Sequence, residues 1–339
     1  MSRKNNLDLI RFCAAVAVMI SHSVPLSLGR GQAEPLEHFT RGQASLGRGS
    51  VAAFLVLSGL LITRSYERTP TVSLYLWARA LRIFPGLAAM LLLTVLVLGP
   101  CLTSASLPDY FSSGLTYRYF VDNVTVIEPR WNLPGVFVNN AYPDAVNGSL
   151  WTLKYEVGFY LLVALFGATR TLRWPVMAAL WALAAVLACS STLGQLWPEM
   201  FLYFGGGMIL HFLGARLRWS PVVGLLCVAS LIATARLGVG FRCALGSAGA
   251  YLLYHLAFTP SRWSEFARRG DFSYGIYIYG FAIQQVVTAL LGGHTQPWIN
   301  VALSLPVVLL LSIGSWHLIE KRALRRKGAL PVWLSASKA

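Results

Sequence analysis

The sequence predicts an all-α integral membrane protein, a bundle of about ten transmembrane helices with both termini in the cytoplasm. Of its 339 residues, 56% are hydrophobic and 12% charged, for a mean hydropathy of +0.58. An ordinary soluble domain carries about 25% charged residues. Apolar runs recur along the whole chain, and a spanning helix needs about 20 such residues. The runs are continuous rather than alternating, which favours helices over the strands of a barrel.

Ten spans follow, at about 7–28, 47–66, 84–103, 149–168, 172–192, 197–216, 221–237, 241–258, 272–292 and 297–320. Pro175, Pro221 and Pro297 sit at or near first turns, where a missing N–H costs little. The longest polar stretch, 104–147, joins the third span to the fourth. It mixes Asp109, Asp122, Glu128 and Asp144 with Tyr110, Tyr117, Tyr119, Trp131 and Tyr142. Such a mixture suits a carbohydrate surface, or equally an interfacial aromatic belt with ordinary loop acids.

Ten spans put both termini on one side. Only eight of the 28 Lys and Arg fall on the other side: Arg30, Arg41, Arg48, Arg118, Arg130, Lys154, Arg236 and Arg242. The positive-inside rule then places the termini in the cytoplasm. The net charge of +15 follows from topology and anionic inner-leaflet lipid, so no nucleic-acid partner is expected. MSRKNN and the apolar run after it read as an uncleaved anchor. The expected organisation is one integral domain, 1–327, and a short cytoplasmic tail, 328–339, with no appended soluble domain. The five cysteines show no metal or disulfide spacing and read as small core residues.

Four segments can carry chemistry. In the first span, LDLIRFCAAVAVMISH, Arg11 and His22 are eleven residues apart. That spacing is three turns with roughly 20° left over, so they share a face about 16 Å apart along the axis. Asp8 lies near the same face and can pair with Arg11. Ionisable groups at such depth usually have work to do, and a neutral imidazole is a common general base. A core histidine bonded to a neighbouring helix is the plainer reading. Arg79 and Arg82, just before the third span, share a face. Paired guanidinium forks suit phosphate, or lipid head groups.

In NGSLWTLKYEVGFYL, Asn147-Gly148 reads as a turn, Ser149 as a helix cap, and Glu156 as a partner for a base or a structural ion-pair member. In DFSYGIYIYGFAIQQ, Ser273 and Tyr277 share a face, while Gln284 and Gln285 should face the bundle. Polar residues of this kind also join transmembrane helices. No histidine pair has metal-ligand spacing, and neither a Walker loop nor a nucleophile elbow is present.

Taken together, these segments resemble the acyltransferase 3 family, membrane acyltransferases that O-acetylate bacterial surface and exported glycans. The resemblance runs from Leu7 to about Arg322. It rests on Arg11 with His22, FLVLSGLLI with Ser58 and Gly59, Arg79 and Arg82 ahead of Pro85, NGSLWTLKYE with Glu156, SYGIYIYG, and IEKR at 319–322. Gly280 stands where many members carry a histidine, a following proline is missing, and IEKR replaces Glu-Lys-Pro.

The resemblance implies a multi-pass protein of the bacterial inner membrane. It implies acetyl-CoA, or another acyl-CoA, as cytoplasmic donor, with no metal. The acceptor would be a hydroxyl of a glycan or lipid-linked oligosaccharide at the outer face. His22 would act as base, with Arg11, Glu156 and Asp8 in the catalytic set. Arg79 and Arg82 would hold donor phosphates, and Ser149, Trp151, Ser273 and Tyr277 would contact substrate. The alternative is a transporter or flippase for a glycan or lipid-linked intermediate, which needs no coenzyme A.

Overall fold

The computed structural model describes residues 5–190, 196–214, 216–264, 266 and 270–329. Most of the expected tail at 328–339 lies outside them. The principal helices are α1 (Leu7–Leu28), α2 (Pro35–Phe39), α3 (Leu46–Arg68), α4 (Val72–Leu102), α5 (Leu107–Ser112), α6 (Gly114–Val124) and α7 (Gly148–Ala168). They continue with α8 (Trp174–Ser190), α9 (Leu196–Leu213), α10 (Pro221–Leu237), α11 (241–258), α12 (Ser273–Leu290) and α13 (Pro297–Leu324). No strand forms among the described residues beyond one isolated bridge, Thr103 to Val136. Five helices, α1, α3, α4, α7 and α13, are long and apolar enough to cross a membrane, and α8 and α10 are shorter apolar helices.

The chief departure in the helices is α4. It begins at Val72, twelve residues before the expected span, capped by the Thr71 hydroxyl, which accepts from the Leu74 amide at 3.2 Å. Tyr75 is fully buried on its first turn. Hydropathy marks only the apolar part of a helix, whereas caps and packing set its true start. Arg79 and Arg82 therefore project from inside α4 rather than preceding it.

The chain divides into two compact units. The first comprises Met1–Ala14, Ala33–Leu76 and Gly158–Arg269. There α3 and α9 cross at glycines: Gly59 lies against the Phe204 carbonyl, and Gly207 against the Val56 carbonyl. Small residues let helices approach closely where lipid supplies no hydrophobic drive between them. Glu199, buried on α9, accepts from the Tyr203 hydroxyl at 3.1 Å and pairs with Arg242 at 3.4 Å and Arg48 at 3.8 Å.

The cysteine expectation fails. Cys189 at the end of α8 is bonded to Cys243 at the start of α11, and Cys13 and Cys101 are exposed. Helix packing brings together two residues 54 apart in sequence, a proximity that spacing alone does not show.

The second unit comprises Ala15–Gln32, Trp77–Val157 and Gly270–Ala339. Here the polar 104–147 stretch folds into α5 and α6 rather than a bare loop. Near its end α4 widens into a π turn, Thr94–Leu98, whose Val95 carbonyl accepts from the Tyr110 hydroxyl at 2.9 Å. Gly99 leaves room for that ring. Burial pushes the Tyr110 phenol up to about 12 and that of Tyr119, also fully buried, higher still.

Candidate functional site

The site is built along α12. Residues 273, 277, 281, 285 and 289 repeat every four and trace a stripe that drifts about 40° round the helix at each step. At 1.5 Å per residue, each step climbs about 6 Å. The second unit sets polar groups against this stripe at successive levels.

At the lowest level Asp271 accepts from the Ser273 hydroxyl and amide and is ion-paired with Arg82. The Arg82 guanidinium also lies 3.8 Å from Glu320. These side chains are 13%, 14% and 2% exposed for Arg82, Asp271 and Glu320, so solvent screens them little. A π turn in α13, Trp316–Glu320, carries Glu320, which accepts from the Ser315 hydroxyl at 2.9 Å. Pro85 and Gly86 follow in α4, and Gly86 lies against both the Tyr274 ring and Glu320. Arg82, read as a phosphate fork, is thus held by two carboxylates of its own chain. Arg79 stands one turn earlier, half-buried.

One turn up, the Tyr277 hydroxyl donates to the Ser149 carbonyl at 2.9 Å and bonds the Thr152 hydroxyl. The Glu156 carboxylate lies within electrostatic range of that phenol. Asn147, fully buried, accepts from the Ser149 amide at 3.1 Å and donates to the Ile278 carbonyl at 2.7 Å. The helix cap is therefore Asn147, not Ser149 as expected, because only the asparagine bonds two chain segments at once. This releases the Ser149 hydroxyl, which is buried and has no hydrogen-bond partner among the described residues.

At the third level His22 meets Phe281 edge-on, ring centres 5.2 Å apart, and Gly148 lies against the same ring. The imidazole is partly accessible, while its Nδ1 is buried and without a hydrogen-bond partner. Gly280 packs on the Met19 side chain, so a larger residue at 280 would strike α1. Higher still, Gln285 donates to the carbonyls of Tyr142 and Ala145, each at 2.7 Å, and accepts from Asn140 at 2.7 Å. Gln284 donates to the Met19 carbonyl at 2.9 Å. Both glutamines are fully buried, facing the bundle as their polarity required.

His22, Ser149, Glu156, Ser273, Tyr277, Arg79 and Arg82 thus belong to one unit. Asp8 and Arg11 lie on the opening turns of α1, in the first unit. Trp151 packs on Tyr155 with ring centres 5.7 Å apart. Asp271, Phe281 and Asn140 were not singled out from sequence, and Asn147 was read only as part of a turn. An acid just before a helix was the one signal for Asp271. No group of three or more His, Cys, Asp or Glu able to hold a metal occurs among the described residues.

These features define a helical membrane protein with a polar, histidine-bearing site inside an apolar bundle. The chain belongs to the acyltransferase 3 family: the family model, an acyltransferase domain, matches residues 4–317, and the protein is an acyltransferase. It is similar to an O-acetyl transferase of Shigella phage Sf6, 30% identical over 352 residues, covering 96% of this chain and 98% of that protein. It is also similar to Nodulation protein 10 of Rhizobium leguminosarum bv. viciae, 28% identical over 367 residues, covering 96% and 95% of the two chains. No solved structure matches.

Proposed function

We propose that this acyltransferase moves an acetyl group from acetyl-coenzyme A, presented on the cytoplasmic side of the bacterial inner membrane, to a hydroxyl of a cell-surface or exported glycan. The observation that carries the reading is the stacking of two sites along one helix. Arg82 with Asp271 lies at the foot of α12, and His22 with Ser149 about two turns above. Arg82 and Met90 are eight residues apart on α4, about 12 Å. Met90 touches Asn147, the residue before the His22-side Gly148, at 3.7 Å. An extended pantetheine arm bridges that gap, with the donor phosphates near Arg79 and Arg82 and the thioester near His22.

The reaction then follows from the residues. His22 Nε2 takes the acceptor hydroxyl proton as that oxygen attacks the thioester carbonyl. The carbon–sulfur bond breaks, and the imidazolium returns the proton to the departing thiolate. The Ser149 hydroxyl is placed to donate to substrate oxygen, and Glu156 sits beside the Tyr277–Ser149 contact. Ten spans with both termini inside fit the oxidised Cys189–Cys243 pair, since both cysteines fall at helix ends assigned to the outer side. Disulfides persist mainly outside the cytosol. The name of the phage relative supports acetyl as the group transferred.

The test uses the full chain in lipid nanodiscs with labelled acetyl-coenzyme A and the host's surface polysaccharide. Donor-dependent label on the glycan, lost in His22→Gln, is expected. Glycan movement without label, or equal label from both proteins, would overturn the reading.

A further inference from the structure

We infer that the second unit carries a separate subsite at the outer end of α12, which holds a neutral sugar unit of the acceptor beside the one that is acylated. This rests on the glycan-acceptor reading above. The ends of α4 and α12 and the segment 135–140 enclose a cleft of about 370 Å³, within the usual size of a small-molecule site.

Its walls are fixed by backbone. Thr103 pairs with Val136 in the antiparallel bridge, and the Ser104 amide donates to the Gly135 carbonyl at 2.9 Å. Opposite, the Ala141 amide donates to the Gly293 carbonyl at 2.7 Å, and Gly293 donates to Thr288 at 2.9 Å. Asn140 is held by Gln285, which anchors this wall to α12. Phe137, buried at the cleft, has φ +59, a left-handed conformation that a bulky residue adopts only when its surroundings impose it.

The lining chemistry selects the ligand class. None of the eleven lining residues is charged. The polar side chains are Thr103 and Ser104, whose hydroxyls donate to the Pro134 and Gly135 carbonyls and keep a lone pair for a ligand, and the amides of Asn139 and Asn140. Asn139 is exposed, and its side chain makes no hydrogen bond among the described residues. Acidic sugars are usually gripped by charge-assisted guanidinium forks. A chain with net charge +15 has placed none here. Hydroxyl oxygens and an exposed amide match a neutral, hydroxyl-rich ligand.

The position of the cleft makes it a remote subsite. Phe281, which His22 touches, and Ala289, which lines the cleft, are eight residues apart on α12, about 12 Å. One sugar ring cannot occupy the cleft and also reach His22, so the occupant is a neighbouring unit of an oligomeric acceptor.

The experiment takes fragments of the host's surface polysaccharide, one repeat unit long and several units long, with the full chain in nanodiscs. For the wild type, a KM at least about tenfold lower for long fragments than for short is expected. The double variant Ser104→Ala/Asn139→Ala, mild enough to fold, should erase that advantage. A neutral fragment should compete with the long acceptor, and a uronic-acid fragment of equal length should not. Equal KM for both lengths in the wild type, or an unaltered preference in the double variant, would overturn the subsite alone. A wild type that hydrolyses labelled acetyl-coenzyme A yet labels no fragment would overturn the acceptor reading with it.

Discussion

Replacing Arg82 with alanine is the perturbation whose size the structure sets most directly. The guanidinium neutralises Asp271 and Glu320, which are 14% and 2% exposed, while Arg82 itself is 13% exposed. Deleting one partner of a buried pair leaves an uncompensated charge and costs about 3–5 kcal/mol. Two carboxylates lose the same cation here, so the upper part of that range is expected. For a chain of this length the loss corresponds to a fall in melting temperature on the order of 10 °C. The assay is thermal unfolding of the full chain in nanodiscs, followed by tryptophan fluorescence. Adding Asp271→Asn and Glu320→Gln to Arg82→Ala removes the orphaned charges and should recover most of the lost stability. If Arg82 also meets donor phosphates as proposed, donor affinity should not recover, because the guanidinium is still absent. A single variant melting within about 2 °C of the wild type, or a triple variant no better than the single, would refute the ion-pair account.

Four further outcomes follow. If His22 is the base, as proposed, His22→Gln should lower turnover by about 10²–10⁴-fold, with melting little changed because among the described residues the ring makes an edge-on aromatic contact and no hydrogen bond; single-turnover acetyl transfer checks it. Asn147→Ala strips partners from the Ser149 amide and the Ile278 carbonyl and should cost about 2–4 kcal/mol, read by thermal unfolding. Gly207→Val drives a side chain into the Val56 carbonyl and should abolish accumulation in the membrane, whereas Gly314→Val, with open space at its Cβ, should accumulate normally. Cys189 and Cys243 should resist a membrane-impermeant maleimide applied from outside until a reductant is added; labelling only from the cytoplasmic side would reverse the topology.

The general character of the site was legible in the residues. An imidazole and two glutamines inside apolar runs are costly unless they share a protected polar region. His22, Arg82, Tyr277 and Gln285 do fall in one compact unit. What spacing did not reveal was which partners they would meet. Arg82 looked like a bare phosphate fork because its acids lie 189 and 238 residues away in the chain. Ser149 looked like the cap because a hydroxyl at a helix start usually is one, yet Asn147 takes that role through a contact 131 residues distant.

By itself the sequence determined the all-helical class and the places of apolar helices such as α1, α3 and α7. Each depends on local composition and periodicity, which hydrocarbon solvation enforces residue by residue. Only the tertiary structure decided that α4 begins at Val72, that Cys189 meets Cys243, that Arg82 is shared by Asp271 and Glu320, and that the C-terminal end of α12 opens onto an uncharged cleft. Each depends on side chains brought together from distant parts of the chain. Packing, not sequence spacing, sets those distances.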